Sequence, residues 1–323
     1  MELARTKGLI TDISWGSDTA LVASYYDSYL RIYNTEGTAP KEVYLDSPVL
    51  CCEYDRFCES PFIFTGLKNG SIIGIDPDTD ERLQISDPFP APVTRLICGN
   101  THLWCASGNR LTAIDIRGEN LPATLEFEDD IIDIDLSNNE GRMLVATKGR
   151  KVVVVDALAM LSVPNGGPPG SVIIKARESL LAHPTAAVKW LRGDEFFTVA
   201  SIACRMAITT VSTKANKVAF RVHQDKTTTP PTDHIVYTIA VHPGGRLFLS
   251  GGGDRTVQVH SLSVIDSSKT SPLTPVPFSG AVVRLKFNPS GTRVAAACRP
   301  NMKGALTDSS LTVLDVDEVQ LLE

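Results

Sequence analysis

An all-β fold, a ring of seven four-stranded blades, is what this chain predicts, and three observations carry the prediction. Short runs of alternating β-branched and aromatic residues stand between Gly, Asp, Asn and Pro turns along the whole length, with almost no apolar stripe of helical period. These runs group into a unit: a strand opening on a β-branched residue, a turn, a second strand ending in small residues, a tight polar turn, and a third strand closing on Asp or a relative. The unit recurs, its openings at Ile10, Val49, Val93, Ile131, Val188, Val236 and Val282 lying about 45 residues apart.

The first copy reads ITDISW, ALVASYY and, past a turn at Asp27, YLRIYN. VLCCEY/FIFTGLKNG/SIIGID, VTRLIC/LWCASGN/RLTAID, IIDIDL/MLVATKG/RKVVVVD and VKWLRG/FFTVASIAC/RMAITTV follow. The sixth is VYTIAVHPGG, RLFLSGGG and, past Asp254, TVQVHSL; the seventh is VVRLKFNPSG/RVAAAC/LTVLDV. This period belongs to WD-repeat β-propellers, one four-stranded blade per copy. The blade-closing Trp-Asp is worn to Tyr33-Asn34, Ile75-Asp76, Ile114-Asp115, Val155-Asp156 and Leu314-Asp315. Each strand needs only an apolar face for its neighbour and a turn at each end, so the period outlasts the letters. The longest interval holds VPNGGPPGS, whose Pro and Gly content marks an inserted loop. An open ring would leave two bare sheet edges. The stub from Glu2 to Thr6 is therefore expected to join the last blade beside the strand from Ser310 to Val316, and residues 1–323 to form one propeller domain.

Composition narrows the function classes. The net charge is −6 and Lys and Arg are scattered without blocks, which argues against a broad nucleic-acid footprint. The seven cysteines include no CxxC, and most lie in apolar runs, the pattern of reduced, buried thiols in the cytosol or nucleus. Cys51, Cys52 and Cys58 have no His nearby to complete a zinc site. Neither a secretory leader nor a stretch long enough to span a bilayer is present, so a soluble intracellular protein is expected. GGGD at Gly251 to Asp254 lacks the helix context and Lys of a phosphate loop and reads as a hairpin turn. No nucleophile elbow, HExxH or kinase block occurs, so no enzyme and no cofactor are expected. Within DDIIDID, Asp133 and Asp135 share one strand face, which can hold a cation or simply line a polar surface.

Arg205 is expected at the start of a third strand after a tight turn, facing the ring's top or channel. A guanidinium there can grip a carboxylate or phosphate bidentately, or lie solvated against a loop carboxylate. Arg221 and His223 alternate with Phe220 and Val222, placing both on one sheet face, where they either join Arg205 across neighbouring strands in a local positive patch or form the ordinary outer face of an amphipathic strand; His223 taken alone reads more readily as a satisfied structural histidine than as a ligand or base. Tyr25, Tyr26 and Tyr29 cluster at the first blade's turn, where aromatic rings receive an apolar peptide residue or seal the core. Asp12, Asp27, Ser250 and Asp254 read as turn and blade-locking residues.

Several blocks resemble the Bub-three family of spindle-checkpoint WD-repeat proteins and its relative, the Rae-one group of messenger-RNA export and nuclear-pore propellers. SYYDSYLRIYN is similar to their SSWDTSVRLYD, SIACRMAITTV to SIEGRVAVEY, and VAFRVHQDK to AFKCHR, in matching order along nearly the whole chain. Few residues precede Ile10, whereas the export group carries a longer N-terminal extension, so the checkpoint group is the nearer match. The resemblance implies a platform that binds short acidic (GLEBS-like) motifs of checkpoint kinases and phosphorylated kinetochore scaffold repeats, in the nucleus and at kinetochores in mitosis. The alternative it implies is a nuclear-pore adaptor binding a nucleoporin peptide; neither reading involves a membrane or direct DNA binding. Carried over position by position, it implies partner contact for Arg205, Arg221, His223, Arg246 and Tyr26. The chain departs from the family at Ala203-Cys204, which replace Glu-Gly, at Gln224, which replaces a basic residue, and at Tyr26, which replaces Trp.

Overall fold

Successive strands are joined by tight turns, so each pairs with its sequence neighbour and four of them fill one twisted antiparallel sheet. The structure, a computed structural model, describes residues 1–37, 39–58, 61–118, 120–162, 169–179, 181–212, 216–262, 275–300 and 308–316. After β1 (Glu2–Thr6), blade one comprises β2 (Ile10–Trp15), β3 (Ala20–Tyr25), β4 (Tyr29–Asn34) and β5 (Lys41–Tyr44). Blade two is β6 (Val49–Tyr54), β7 (Ile63–Leu67), β8 (Ile72–Ile75) and β9 (Arg82–Gln84). Blade three is β10 (Val93–Cys98), β11 (His102–Ser107), β12 (Arg110–Asp115) and β13 (Ala123–Glu126). Blade four is β14 (Ile131–Leu136), β15 (Arg142–Thr147), β16 (Lys151–Asp156) and β17 (Ile173–Glu178), with the short helix α1 (Ala157–Ser162) before its last strand. Blade five is β18 (Thr185–Arg192), β19 (Phe196–Ser201), β20 (Arg205–Thr210) and β21 (Asn216–Arg221), followed by a small hairpin of β22 (Gln224–Asp225) and β23 (Thr232–Asp233). Blade six is β24 (Val236–Val241), β25 (Leu247–Gly252), β26 (Thr256–Ser261) and β27 (Val276–Pro277). Blade seven is β28 (Ala281–Phe287), β29 (Arg293–Arg299), β30 (Ser309–Asp315) and, in fourth place, β1.

The N-terminal strand thus closes the ring as expected. β1 pairs antiparallel with β30, Glu2 opposite Thr312 and Thr6 opposite Ser309, and the Met1 ammonium donates to the Val313 carbonyl at 2.6 Å. The first strand of each blade packs beside that of the next, and β28 returns to β2. Seven apolar clusters of the described residues fill the seams between neighbouring blades; Ile10, Ile13, Val283, Ala297 and Leu311, for example, lock blade seven to blade one. Each such buried aliphatic side chain contributes about 1.5–3 kcal/mol, so the seams hold the ring together. GGGD is indeed a hairpin turn, between β25 and β26.

Two details differ from the sequence reading. Blade five opens at Thr185, not Val188: every first strand carries a bulge at its start, just after the opening residue in blades one to six and one residue later, between Val282 and Arg284, in blade seven, and in blade five that bulge lies between Thr185 and Ala187. An extra residue there twists the strand and re-aims the side chain that follows. The last strand runs one residue earlier than expected. Of the inserted VPNGGPPGS, residues 163–168 lie outside the described residues, as do residues 213–215 of the TKANK stretch. No helix among the described residues is long and apolar enough to cross a membrane.

The alternation of strand direction gives the ring two ends. First strands begin at the front, where the turns between second and third strands also lie and where outer strands finish; the turns between first and second strands lie at the back.

Candidate functional site

Arg205 and Arg221 meet at the front of blade five. Arg205 opens β20 directly after the Ile202–Cys204 turn, which Cys204 closes in the left-handed region at φ 45°. That turn is stitched down: Cys204 N donates to His234 O at 3.0 Å, Val222 N donates to Cys204 O at 2.8 Å, and Ser201 Oγ donates to Arg205 O at 3.2 Å. Arg221 ends β21, and the ladder sets it directly opposite Arg205. Such residues have Cβ atoms about 5 Å apart, and like charges there repel. Arg205 is half-buried and Arg221 exposed, and among the described residues neither guanidinium makes an ion pair. The nearest compensating group is Asp233, on β23. Its carboxyl is held below the usual range by the Cys204 thiol and the Gln224 amide, which donates at 2.8 Å, and then by the fields of Arg221 and Arg205.

His223 does not share the exposed face of Arg221. It lies beyond the end of β21 with φ 51°, so the alternation breaks after Arg221, and its side chain has no exposed surface. The ring bridges Asp254 Oδ1 and Ser250 Oγ, each at 2.8 Å, and Ser250 Oγ lies 2.8 Å from His260 Nε2. The partners fix the protons: Asp254 can only accept, so His223 Nδ1 donates; Nε2 then accepts from the Ser250 hydroxyl, whose oxygen accepts from His260 Nε2–H. Burial drives the His260 pKa down to about 3, with the His223 imidazole adding to the effect, so His260 is a neutral donor. Burial works against the Asp254 carboxylate, yet the hydrogen bonds from His223 and from the Thr256 hydroxyl and amide outweigh it, and the pKa lies below the ordinary value. Any side chain at Gly252 would meet the His223 ring at 2.4 Å, which reserves that position for glycine. Ser250 and Asp254 are the blade-locking residues expected, and His223 is their partner: it anchors the loop carrying Arg221 rather than facing a ligand.

The other two positions lie elsewhere. Arg246 is exposed but directly precedes β25, at the back; the six-residue β25 separates it from the front by roughly 20 Å. Tyr26 lies at the front, 43% exposed, in the turn after β3 of blade one. Two blades, six and seven, separate it from blade five. Its hydroxyl accepts from Lys68 Nζ at 2.8 Å, and that ammonium lies 5.3 Å from the ring centroid. Tyr25, by contrast, is buried and exchanges a 2.7 Å hydrogen bond with Tyr33, while Tyr29 packs edge-on against Tyr44. At the front turns between second and third strands, the sequence reading passed over three further cations that make no ion pair among the described residues: Lys68, Arg255 and Arg299. Arg255 is exposed in the turn before β26 at φ 67°, and Arg299 ends β29 with its Nε buried and, among the described residues, without a hydrogen-bond partner. All three stand at second-to-third-strand turns, the same place as Arg205, and scanning those turns for basic residues would have found them.

The channel carries a second set of charges. A cavity of about 560 Å³ runs along the inner strands. The bulged third residues Asp12, Arg95, Asp133 and Arg284 form a front layer, and Glu53, Asp135, Lys189 and Lys286, two residues on, form a back layer. Each carboxylate is matched across blades: Arg284 to Asp12 at 3.0 Å, Arg95 to Asp133 at 2.8 Å, Lys286 to Glu53 at 2.6 Å, and Lys189 to Asp135. Asp133 also accepts from Val188 N at 3.0 Å and Asp135 from Trp190 N at 2.7 Å. The two carboxylates of DDIIDID thus line a polar strand face and are engaged by protein donors, and no metal-ligating cluster occurs among the described residues. The channel's chemistry is that of a lock between blades. Six of the seven cysteines, all but Cys58, are buried thiols.

Comparison with known proteins agrees with this architecture. A family model described as "WD domain, G-beta repeat" matches residues 224–261, the sixth blade with its preceding hairpin. Mitotic checkpoint protein bub-3 of Caenorhabditis elegans is 30% identical over 165 residues, 48% of this chain and 43% of that protein. The match thus spans less than half the length of that relative. Among solved structures, "Structure of U3-55K" superposes with a TM-score of 0.80 at 15% identity, covering 97% of this chain and 98% of the other. "Crystal Structure of Mitotic Checkpoint Complex" superposes at 0.77 and 14% identity, covering 95% and 89%. At such identities these two likenesses establish the seven-bladed propeller fold and no more.

Proposed function

We propose that this chain, a bub-3-like WD-repeat propeller, is a non-enzymatic adaptor of the spindle assembly checkpoint that holds a short acidic (GLEBS-like) motif of a checkpoint kinase on its front face. The Arg205–Arg221 rung supports this reading: two guanidiniums directly opposed, neither ion-paired among the described residues, on a protein of net charge −6. A carboxylate or phosphate between them relieves their repulsion and gains charge-assisted hydrogen bonds to both. The same pair serves phosphorylated kinetochore scaffold repeats. Tyr26, across the front, supplies an apolar contact for a ligand long enough to cross the ring; His223 positions Arg221 from beneath. Arg246, at the back, takes no part. Action at the kinetochore in mitosis, from a nuclear pool, belongs to this reading.

Calorimetry with a synthetic peptide of the kinase's acidic motif tests it. The wild-type protein is expected to bind at micromolar affinity or better, and Arg205→Glu and Arg221→Glu each to weaken binding at least roughly tenfold, the worth of one charge-assisted hydrogen bond. Unchanged binding in both variants refutes the site. Purification from mitotic and interphase cells, with identification of the bound proteins, separates a checkpoint adaptor from a nuclear-pore one.

A further inference from the structure

The hairpin that follows blade five lies next to the arginine pair, its Asp233 in the field of Arg205 and Arg221. Its sequence from Asp225 to Asp233 is DKTTTPPTD, and residues 226–233 are all exposed. Three of its threonines are engaged. Thr227 Oγ1 donates to Asp225 Oδ1 at 2.6 Å, and Thr228 Oγ1 lies 2.9 Å from Thr232 Oγ1. Thr229 is the exception: among the described residues its hydroxyl has no hydrogen-bond partner, and it is followed directly by Pro230. Thr or Ser before Pro is the substrate pattern of proline-directed protein kinases. The described residues hold one other such pair, Ser47-Pro48, and Ser47 is buried with its Oγ accepting from Asn69 N at 3.2 Å. Thr229 therefore stands alone among them as an accessible acceptor.

Its location gives the modification a consequence. The base rung of the hairpin pairs Gln224 with Asp233, the carboxylate that already lies in the field of Arg205 and Arg221. Thr229 is four residues from Asp233, at most about 14 Å along the chain, and a long Arg side chain shortens the remaining gap. Arg205 and Arg221 both act on Asp233 here, two cations against one carboxylate. A phosphothreonine adds about −1.5 to −2 charge and three strong acceptor oxygens, enough to reverse the sign of the patch.

Resting on the acidic-motif reading above, we infer that Thr229 is phosphorylated by a proline-directed kinase and that the phosphate docks on the Arg205–Arg221 pair, switching the front face from accepting acidic ligands to refusing them. In the transfer, Thr229 Oγ1 attacks the γ-phosphorus of ATP, an Oγ1–P bond forms as the bond to the β-phosphate oxygen breaks, ADP departs, and the hydroxyl proton passes to the kinase's base.

The full chain is treated with a recombinant cyclin-dependent kinase and ATP and followed by intact mass and peptide mapping. One phosphoryl group on Thr229, absent from Thr229→Ala, is expected; no incorporation at Thr229 overturns the assignment. Affinity for the acidic-motif peptide should then fall roughly five- to tenfold in the phosphorylated wild type and stay unchanged in kinase-treated Thr229→Ala. Fully phosphorylated protein that binds as before overturns the switch. Side-chain nitrogen resonances of Arg205 and Arg221 give a readout independent of the peptide: docking shifts both, and static resonances refute it. If the unmodified protein fails to bind the peptide, the adaptor reading falls while the resonance and mass measurements still decide the phosphate's place.

Discussion

Blades three, four and five build the same rung at the front of the ring with different charges. Arg110 faces Glu126 in blade three and Lys151 faces Glu178 in blade four, but Arg205 faces Arg221 in blade five. In the first two, ion pairs neutralise the edge: Arg110 with Glu126 at 2.7 Å, Arg150 with Glu178 at 2.8 Å, and Lys151 with Glu128 at 2.6 Å. Blade five gives up the carboxylate. The loops differ as well, since His183 in the connection after blade four is exposed while His223 after blade five is buried in a hydrogen-bonded network. Directly opposed like charges cost a few tenths to one kcal/mol. Blade five accepts that cost on a loop more firmly anchored than its neighbour's, which is what a charge meant for a ligand requires.

Removing the anchor should break the comparison most visibly. His223→Ala takes from the Asp254 carboxylate its imidazole donor and from the Ser250 hydroxyl its acceptor, leaving Thr256 and His260 as their remaining partners, and losing a buried hydrogen bond to a charged group costs about 3 kcal/mol. For a ring of this size that lowers the melting temperature by roughly 4–5 °C. His183→Ala, exposed, should cost less than about 0.5 kcal/mol. Equal melting temperatures for the two variants would show that the buried network carries no load.

Acid should act on the same network. His260 is held neutral at a folded pKa of about 3, against 6.5 unfolded. Between those values the unfolded chain binds a proton that the folded protein refuses, so stability is full above about pH 6.5 and falls as the pH drops toward 3. At pH 5 the loss from this group is about 2 kcal/mol. His260→Phe keeps a ring to stack on Phe248, 4.7 Å away, and removes the titration. Urea unfolding at pH 7 and pH 5 should therefore show the gap between wild type and variant narrowing in acid; a constant gap would mean that His260 titrates normally.

The period of the chain made seven blades legible, because each strand's apolar face and turns repeat whatever the dipeptides become. The juxtaposition of Arg205 and Arg221 was legible for the same reason: a tight turn and a third strand fix which residues oppose. His223 was misplaced because alternation holds only while the chain stays extended, and the left-handed residue past β21 ends that extension without a glycine to announce it. Arg246 was grouped with the front residues by likeness of sequence, although its place before a second strand already assigns it to the back. The channel charges sit at alternate positions of the first strands and could be read as one polar face, but their partners belong to other blades and depend on ring order and bulge geometry.

The smallest effect separates the two blades most cleanly, because its two readouts move in opposite directions. Arg221→Glu gives blade five the rung that blade three carries, an Arg facing a Glu. If Arg221 is kept for a ligand, the variant loses the acidic peptide yet gains about 0.5 kcal/mol of stability, a rise of roughly 0.7 °C in melting temperature, as repulsion becomes attraction across the ladder. A structural role for Arg221 predicts the reverse sign, since its replacement would then remove a favourable contact and the melting temperature would fall. Lost binding with lost stability is a damaged fold; lost binding with a more stable fold identifies a position whose charge the ring does not need for itself.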